Sequence, residues 1–177
     1  LVTTTDRPAP AGARRVQVNT AAEMADAVSA EAPHADVVVM AAAVADFRPS
    51  APATSKIKKG GAIPTITLEP APDILAALGA QKAESGAGSP MLVGFAAETD
   101  DVVVNASAKL ARKTLDLIVA NDVSLPDAGF EVDTNRVTLI TADSPPVALP
   151  LQSKIDVGRE IIAWIERAMN ERRRSGG

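Results

Sequence analysis

The chain has 177 residues, enough for one domain with its own core, and 46% of them are hydrophobic while only 2% are aromatic. With three Phe, one Trp and no Tyr, that core must be built from Ala, Val, Leu and Ile, which suits helices packed on a sheet. The net charge of −4 argues against a general nucleic-acid binder, and the lack of cysteine excludes a thiol nucleophile, a disulfide framework and any cysteine-ligated metal. No apolar run reaches membrane-spanning length and no signal-peptide pattern is present, so a cytoplasmic location is expected.

Leu1 to Thr5 reads as the end of a strand with no initiating Met, which implies that sequence precedes it. Thr20 and Glu23 form a capping box, in which the hydroxyl and the carboxylate each satisfy an amide of a new helix. Met24 and Val28 share a face of that helix, which is expected to end near Pro33. Asp36–Met40, with three successive valines, predicts a buried strand. Ile63–Leu68 alternates as an exposed or edge strand does. Pro72 and Asp73 suit the first turn of a second helix, with Ile74, Leu75 and Leu78 facing the core.

Gly86–Pro90 is a turn cluster. Met91–Ala96 predicts a strand, Thr99–Arg112 a helix, and Leu115–Ala120 a further strand ending in Asn121-Asp122. Asn135–Thr141 and Val147–Leu151, separated by Asp143-Ser144-Pro145-Pro146, predict an antiparallel pair. A final helix is expected over Lys154–Arg172 with Ile155, Ile162, Ile165 and Met169 on one stripe. The pattern is that of a single α/β domain over residues 1–177: a three-layer, Rossmann-like, mostly parallel sheet with a C-terminal antiparallel hairpin.

Ligands in open α/β sheets bind outside the carboxyl ends of the strands, and polar residues gather there. Asp46 and Arg48 follow the first long strand, Lys56, Lys58 and Lys59 occupy the next loop, and Glu98 and Thr99 follow Gly94-Phe95. Lys109 and Lys113 share a helix face. They either complement the negative end of that helix's dipole or, with Arg112, clamp a polyphosphate. Asp46 and Asp73 are lone carboxylates of the kind that hold magnesium alongside phosphate oxygens, although Asp73 is read first as a helix-start residue. His34, the only histidine, reads as a solvated loop residue, so a histidine triad or metal site is not expected. Neither GxGxxG nor GxxxxGK[ST] occurs, leaving the common dinucleotide and P-loop readings without a motif.

Six segments then occur in one order at close spacing: Ala41 to Pro49 (AAAVADFRP), Lys56 to Lys59 (KIKK), Pro72 to Leu75 (PDIL), Gly94 to Thr99 (GFAAET), Lys109 with Lys113, and Ala120 to Val123 (ANDV). Together they resemble bacterial phosphopantothenate–cysteine ligase, the synthetase half of the bifunctional coenzyme A biosynthesis flavoprotein. The similarity continues through Gly129-Phe130, Asn135 and Leu149-Pro150 to Ser153-Lys154. The resemblance implies joining of 4′-phosphopantothenate to L-cysteine by way of an acyl-cytidylate made from CTP, with Mg²⁺ as cofactor. It places Ala42, Ala43, Asp46, Lys56, Pro72, Asp73, Ile74, Leu75, Phe95, Lys109 and Lys113 at the CTP site. Lys56 is the catalytic loop lysine and Asp46 the metal candidate, while Lys58 and Lys59 extend the basic loop.

The resemblance also implies a homodimer and a fused flavin decarboxylase domain, to which FMN would belong rather than to this chain. The family's amino-terminal strand, Gly-rich turn and Asn-containing segment are absent from the sequence, so this stretch alone is expected to have little ligase activity. The competing readings are an NAD(P)-dependent oxidoreductase and a non-catalytic nucleotide-sensing domain.

Overall fold

The computed structural model describes residues 1–57, 63, 65–85, 88–123 and 132–175. In chain order these give β1 (Val2–Thr3), β2 (Val16–Gln17), α1 (Ala21–Glu31), a 3₁₀ turn (Ala32–His34), β3 (Val37–Met40), β4 (Phe47–Pro49), β5 (Leu68–Pro70) and α2 (Ile74–Ser85). Then follow β6 (Met91–Glu98), α3 (Val102–Arg112), β7 (Leu117–Asp122), β8 (Thr134–Asn135), β9 (Val137–Ile140), β10 (Val147–Ala148), β11 (Gln152–Ser153) and α4 (Lys154–Ser175). Strand, turn and helix alternate as the sequence pattern predicts.

The central sheet has the order β10-β9-β7-β6-β3, with β3, β6 and β7 parallel and β9 and β10 added antiparallel at one side. Alternate residues of a strand face opposite sides, so each central strand feeds two cores. Leu92, Ala96 and Ile118 pack with Met24, Leu75, Leu78 and Leu110 against α1, α2 and α3. Met91, Val93, Leu117 and Val119 pack with Val157, Ile161 and Ile165 of α4. Burial on both faces explains why β6 and β7 read as near-continuous apolar runs.

Local chemistry fixes the element ends. Glu23 N–H donates to Thr20 Oγ1 at 3.1 Å, and Glu23 Oε2 accepts from Asn19 N–H at 2.7 Å, so the acid reaches the residue before the cap. At the amino edge of the sheet Asp116 accepts from Lys82 Nζ at 2.5 Å, from the Leu92 amide at 2.7 Å and from Arg172. One carboxylate thereby ties α2, β6 and α4 together. Where α2 crosses the end of α3, a Cβ on Gly79 would lie 1.9 Å from the carbonyl oxygen of Lys113. Only glycine permits that approach.

Four expectations shift. Phe47–Pro49, read as loop, is a strand paired with β5, its register set by Arg48 opposite Glu69 and their 2.8 Å ion pair. The Ile63–Leu68 strand falls instead at Leu68–Pro70, Pro64 lying outside the described residues. Helix α3 starts at Val102 rather than Thr99, because Asp101 takes a left-handed conformation (φ 45°) that breaks the helix before it. On α4 the buried stripe is Val157, Ile161 and Ile165, while Ile155 and Ile162 face outward. The turn cluster at 86–87, Gly129-Phe130 and Lys58-Lys59 lie outside the described residues.

Gly79→Ala should lower folding stability by roughly 1–3 kcal/mol, because the added methyl overpacks the α2–α3 contact. Urea denaturation monitored at Trp164 would measure it. A midpoint equal to that of the unmodified chain would contradict the close approach.

Candidate nucleotide-binding cleft

The polar strand ends converge as the parallel order requires. Strand β3 stops at Met40 and the small residues Ala41, Ala42 and Ala43 follow over its end. The chain then turns through Asp46 into β4 and returns through β5, where the Ala71 amide donates to the Asp46 carbonyl at 2.8 Å and closes the two limbs on each other. Asp73 next starts α2. Its Oδ1 accepts from the Ala76 amide at 3.1 Å, as a residue capping the helix start does. Strand β6 brings Phe95, Ala96, Ala97 and Glu98 to the same edge, and the last turns of α3 bring Lys109, Arg112 and Lys113.

Between these elements lies an open cleft of about 630 Å³. Ten of the eleven residues assigned by resemblance line it: Ala42, Ala43, Asp46, Pro72, Asp73, Ile74, Leu75, Phe95, Lys109 and Lys113. The eleventh, Lys56, is exposed on the stretch after β4 and does not line the cleft. Sequence reasoning left out Glu98 as a partner for a lysine. Its position was nevertheless readable, since strand parity puts residue 98 on the same face as Gly94 and Ala96, toward α3.

The two lysines reach carboxylates of other elements. Lys109 Nζ lies 2.6 Å from Glu98 Oε1, and the Glu98 side chain is only 11% exposed. Lys113 Nζ lies 2.9 Å from each Asp73 oxygen. Two ion pairs thus hang α3 on β6 and on the start of α2, while Asp46 and Arg112 add further charge to the cleft wall. Burial pushes the Asp73 carboxyl upward, but the Lys113 and Ala76 hydrogen bonds, with the charges of Lys113 and Arg112, outweigh it and hold the group below its ordinary range.

Among the described residues no group of three or more His, Cys, Asp or Glu side chains could hold a metal ion. Asp46 on the cleft wall supplies one carboxylate. That matches magnesium held mainly by phosphate oxygens and water, and does not match an all-protein cage.

Over residues 1–169 the sequence matches the family described as DNA/pantothenate metabolism flavoprotein C-terminal domain. The chain belongs to this family. Among relatives, the coenzyme A biosynthesis bifunctional protein CoaBC of Mycobacterium tuberculosis (strain ATCC 25618 / H37Rv) is 48% identical over 161 residues, covering 86% of this chain and 38% of that protein. The protein of the same name from Vibrio vulnificus (strain CMCP6) is 43% identical over 164 residues, covering 92% and 40%. The chain thus spans about two-fifths of the length of the curated relatives it matches. The crystal structure of the C-terminal domain of a CoaBC protein superposes with a TM-score of 0.73 at 34% identity, covering 94% of this chain and 71% of that one. The Rossmann-like fold is shared with the family. Among the described residues no helix is long and apolar enough to cross a membrane.

The depressed Asp73 carboxyl sets a pH dependence. Its contribution to stability is present above the unfolded carboxyl value, about pH 4, and is lost as pH falls through the lower folded value. Asp73→Asn should remove this component from the acid limb, measured as urea midpoints from about pH 6 down to pH 2. An acid limb of unchanged slope would contradict the Asp73–Lys113 pairing.

Proposed function

We propose that this chain is the CTP-binding ligase part of a protein that joins 4′-phosphopantothenate to L-cysteine in coenzyme A biosynthesis. The observation that carries the reading is the gathering of Asp46, the Pro72–Leu75 turn, Phe95, Lys109 and Lys113 in one cleft at the carboxyl edge of the sheet. The family and the names of its relatives support the same reading.

Activation of a carboxylate by a nucleotide poses an electrostatic difficulty, because two anions must meet. Lys109 and Lys113 answer it. Each ammonium is aimed by a carboxylate and can exchange part of that contact for phosphate oxygens, lowering the repulsion as the acid approaches. Asp46 would hold Mg²⁺, which when bound supplies further charge neutralisation on the phosphates. A carboxylate oxygen then attacks the α-phosphorus and the bond to pyrophosphate breaks, giving an acyl-cytidylate. The cysteine amine attacks the acyl carbon, CMP leaves with the bonding electrons, and the amine gives up a proton as the amide forms.

The alanines at the end of β3 allow both reactants to lie against backbone there. Lys56, on an exposed stretch rather than a cleft wall, suits a group that closes over the reacting atoms only when substrates are present. The same reading makes the complete protein a homodimer carrying a flavin decarboxylase domain, with FMN bound there. The outward-facing Phe47 and Leu68 on the β4–β5 ribbon offer apolar surface for a second copy.

Two substitutions in the complete protein separate binding from chemistry. Lys113→Ala should weaken CTP binding by about tenfold or more in calorimetric titration with Mg²⁺ present. Lys56→Ala should cut kcat by about tenfold or more while CTP affinity changes less than about threefold, as expected for contacts made mainly in the transition state. Tight NADH binding without CTP binding would instead favour an oxidoreductase. CTP binding without turnover would favour a nucleotide-sensing domain.

A further inference from the structure

Lys113, one of the two cleft lysines, stands where the chain turns out of α3, and that turn is closely held. Thr114 takes a left-handed conformation (φ 51°), and the amide of the buried Leu115 donates to the Leu110 carbonyl at 3.1 Å. Asp116 then engages a single residue of β6 twice. Its amide donates to the Leu92 carbonyl at 3.0 Å, and its Oδ2 accepts from the Leu92 amide at 2.7 Å. The joint between α3 and β7 is thereby fixed to the sheet, close in sequence to Lys113.

Helix α2 meets that joint at three points. Asp73 at its start accepts from the Lys113 ammonium at 2.9 Å, and Gly79 lies against the Lys113 carbonyl. Lys82, one turn beyond Gly79 on the same face, reaches Asp116 Oδ2 at 2.5 Å, with the two side chains only 17% and 18% exposed. The glycine contact limits approach alone, and the Asp73 side chain is 49% exposed, so neither resists sliding of α2 along its axis. An enclosed ion pair does, because separating it leaves two charges unpaired away from water. About 14 Å of helix joins Lys82 to Asp73, and a helix transmits an axial position over that length.

We propose that the Lys82–Asp116 pair, at the amino edge of the sheet, positions the nucleotide clamp at the carboxyl edge by setting where α2 lies along its axis. Lys82 and Asp116 are positioning residues: neither lines the nucleotide cleft, and both act through Asp73 and Lys113. The proposal rests on the ligase reading and adds to it a determinant of nucleotide affinity on the far side of the sheet. Asp116 also accepts from Arg172 of α4. No described residue of α4 lines the nucleotide cleft, so breaking this second pair removes a partner from the same carboxylate and leaves α2 in place.

The test uses the complete protein, with CTP affinity read by calorimetry in the presence of Mg²⁺ and folding stability read by urea denaturation. Lys82→Met keeps an aliphatic stem and removes the ammonium, and Arg172→Met does the same from the α4 side. Both should lower the urea midpoint. Lys82→Met should also weaken CTP binding by about threefold to tenfold, whereas Arg172→Met should leave it within about twofold. Lys82→Arg, which keeps the charge, should hold CTP affinity within about twofold. An unchanged CTP affinity in a folded Lys82→Met variant would overturn the proposal. So would an equal loss in Arg172→Met, since general loosening would then account for both. Should Lys82→Met not fold, Asp116→Asn takes its place, keeping an oxygen for the Leu92 amide while losing the charge, and an unchanged CTP affinity there overturns the proposal by itself. Failure of the ligase reading shows elsewhere, as absence of CTP binding by the unsubstituted protein.

Discussion

Three neighbouring parallel strands must all end at one edge, and the arrangement of this molecule follows from that. The interiors of β6 and β7 have no place for an unpaired polar group: Leu92, Val93, Leu117 and Val119 are almost wholly enclosed. Polar side chains are therefore displaced to the strand ends and the helix ends above them. Glu98, Asn121, Asp73 and the two α3 lysines come from distant parts of the sequence, yet the direction of the strands delivers them to the same rim. The amino edge is used differently. There Asp116, bonded to Lys82, the Leu92 amide and Arg172, holds three elements together.

The electrostatics of the rim is one of paired charges. Lys109 against Glu98 and Lys113 against Asp73 place two cations in an open cleft without leaving either unbalanced. A cation aimed by a neighbouring carboxylate has lost much of its rotamer freedom before a ligand arrives, so less remains to be ordered on binding. The carbonyl of Lys113 is set by its contact with α2 at Gly79 and its ammonium by Asp73 at the start of the same helix. Helix α2 thus locates that lysine at both its ends.

Much of this was legible in the sequence where a single local rule governs. The Thr20–Glu23 cap and the Pro72-Asp73 helix start fell close to where pattern and capping chemistry put them, and the valine run is a strand as expected; yet β3 is not the buried strand those valines suggest, since it ends the described sheet order and leaves Val39 46% exposed. The errors fell where distant contacts decide. Phe47–Pro49 becomes a strand only because residues some twenty positions later lie alongside it. Both stripes of α4 are apolar, and only the sheet selects Val157, Ile161 and Ile165 over Ile155 and Ile162. The cleft residues were brought forward by resemblance to a known family more than by spacing. The pairing of Lys109 with Glu98 needed the register of β6 against α3, and the enclosure of the Asn121 side-chain oxygen depends on the folded chain around the end of β7.

The central claim is that the cleft between α2, α3 and the sheet edge takes the nucleotide triphosphate. A crystal structure of the complete protein with CTP and Mg²⁺ tests it most directly. The account predicts phosphate oxygens within hydrogen-bonding distance of Lys109 and Lys113, with Asp46 facing the phosphates. Nucleotide bound elsewhere, with the Lys109–Glu98 and Lys113–Asp73 pairs undisturbed, would contradict it.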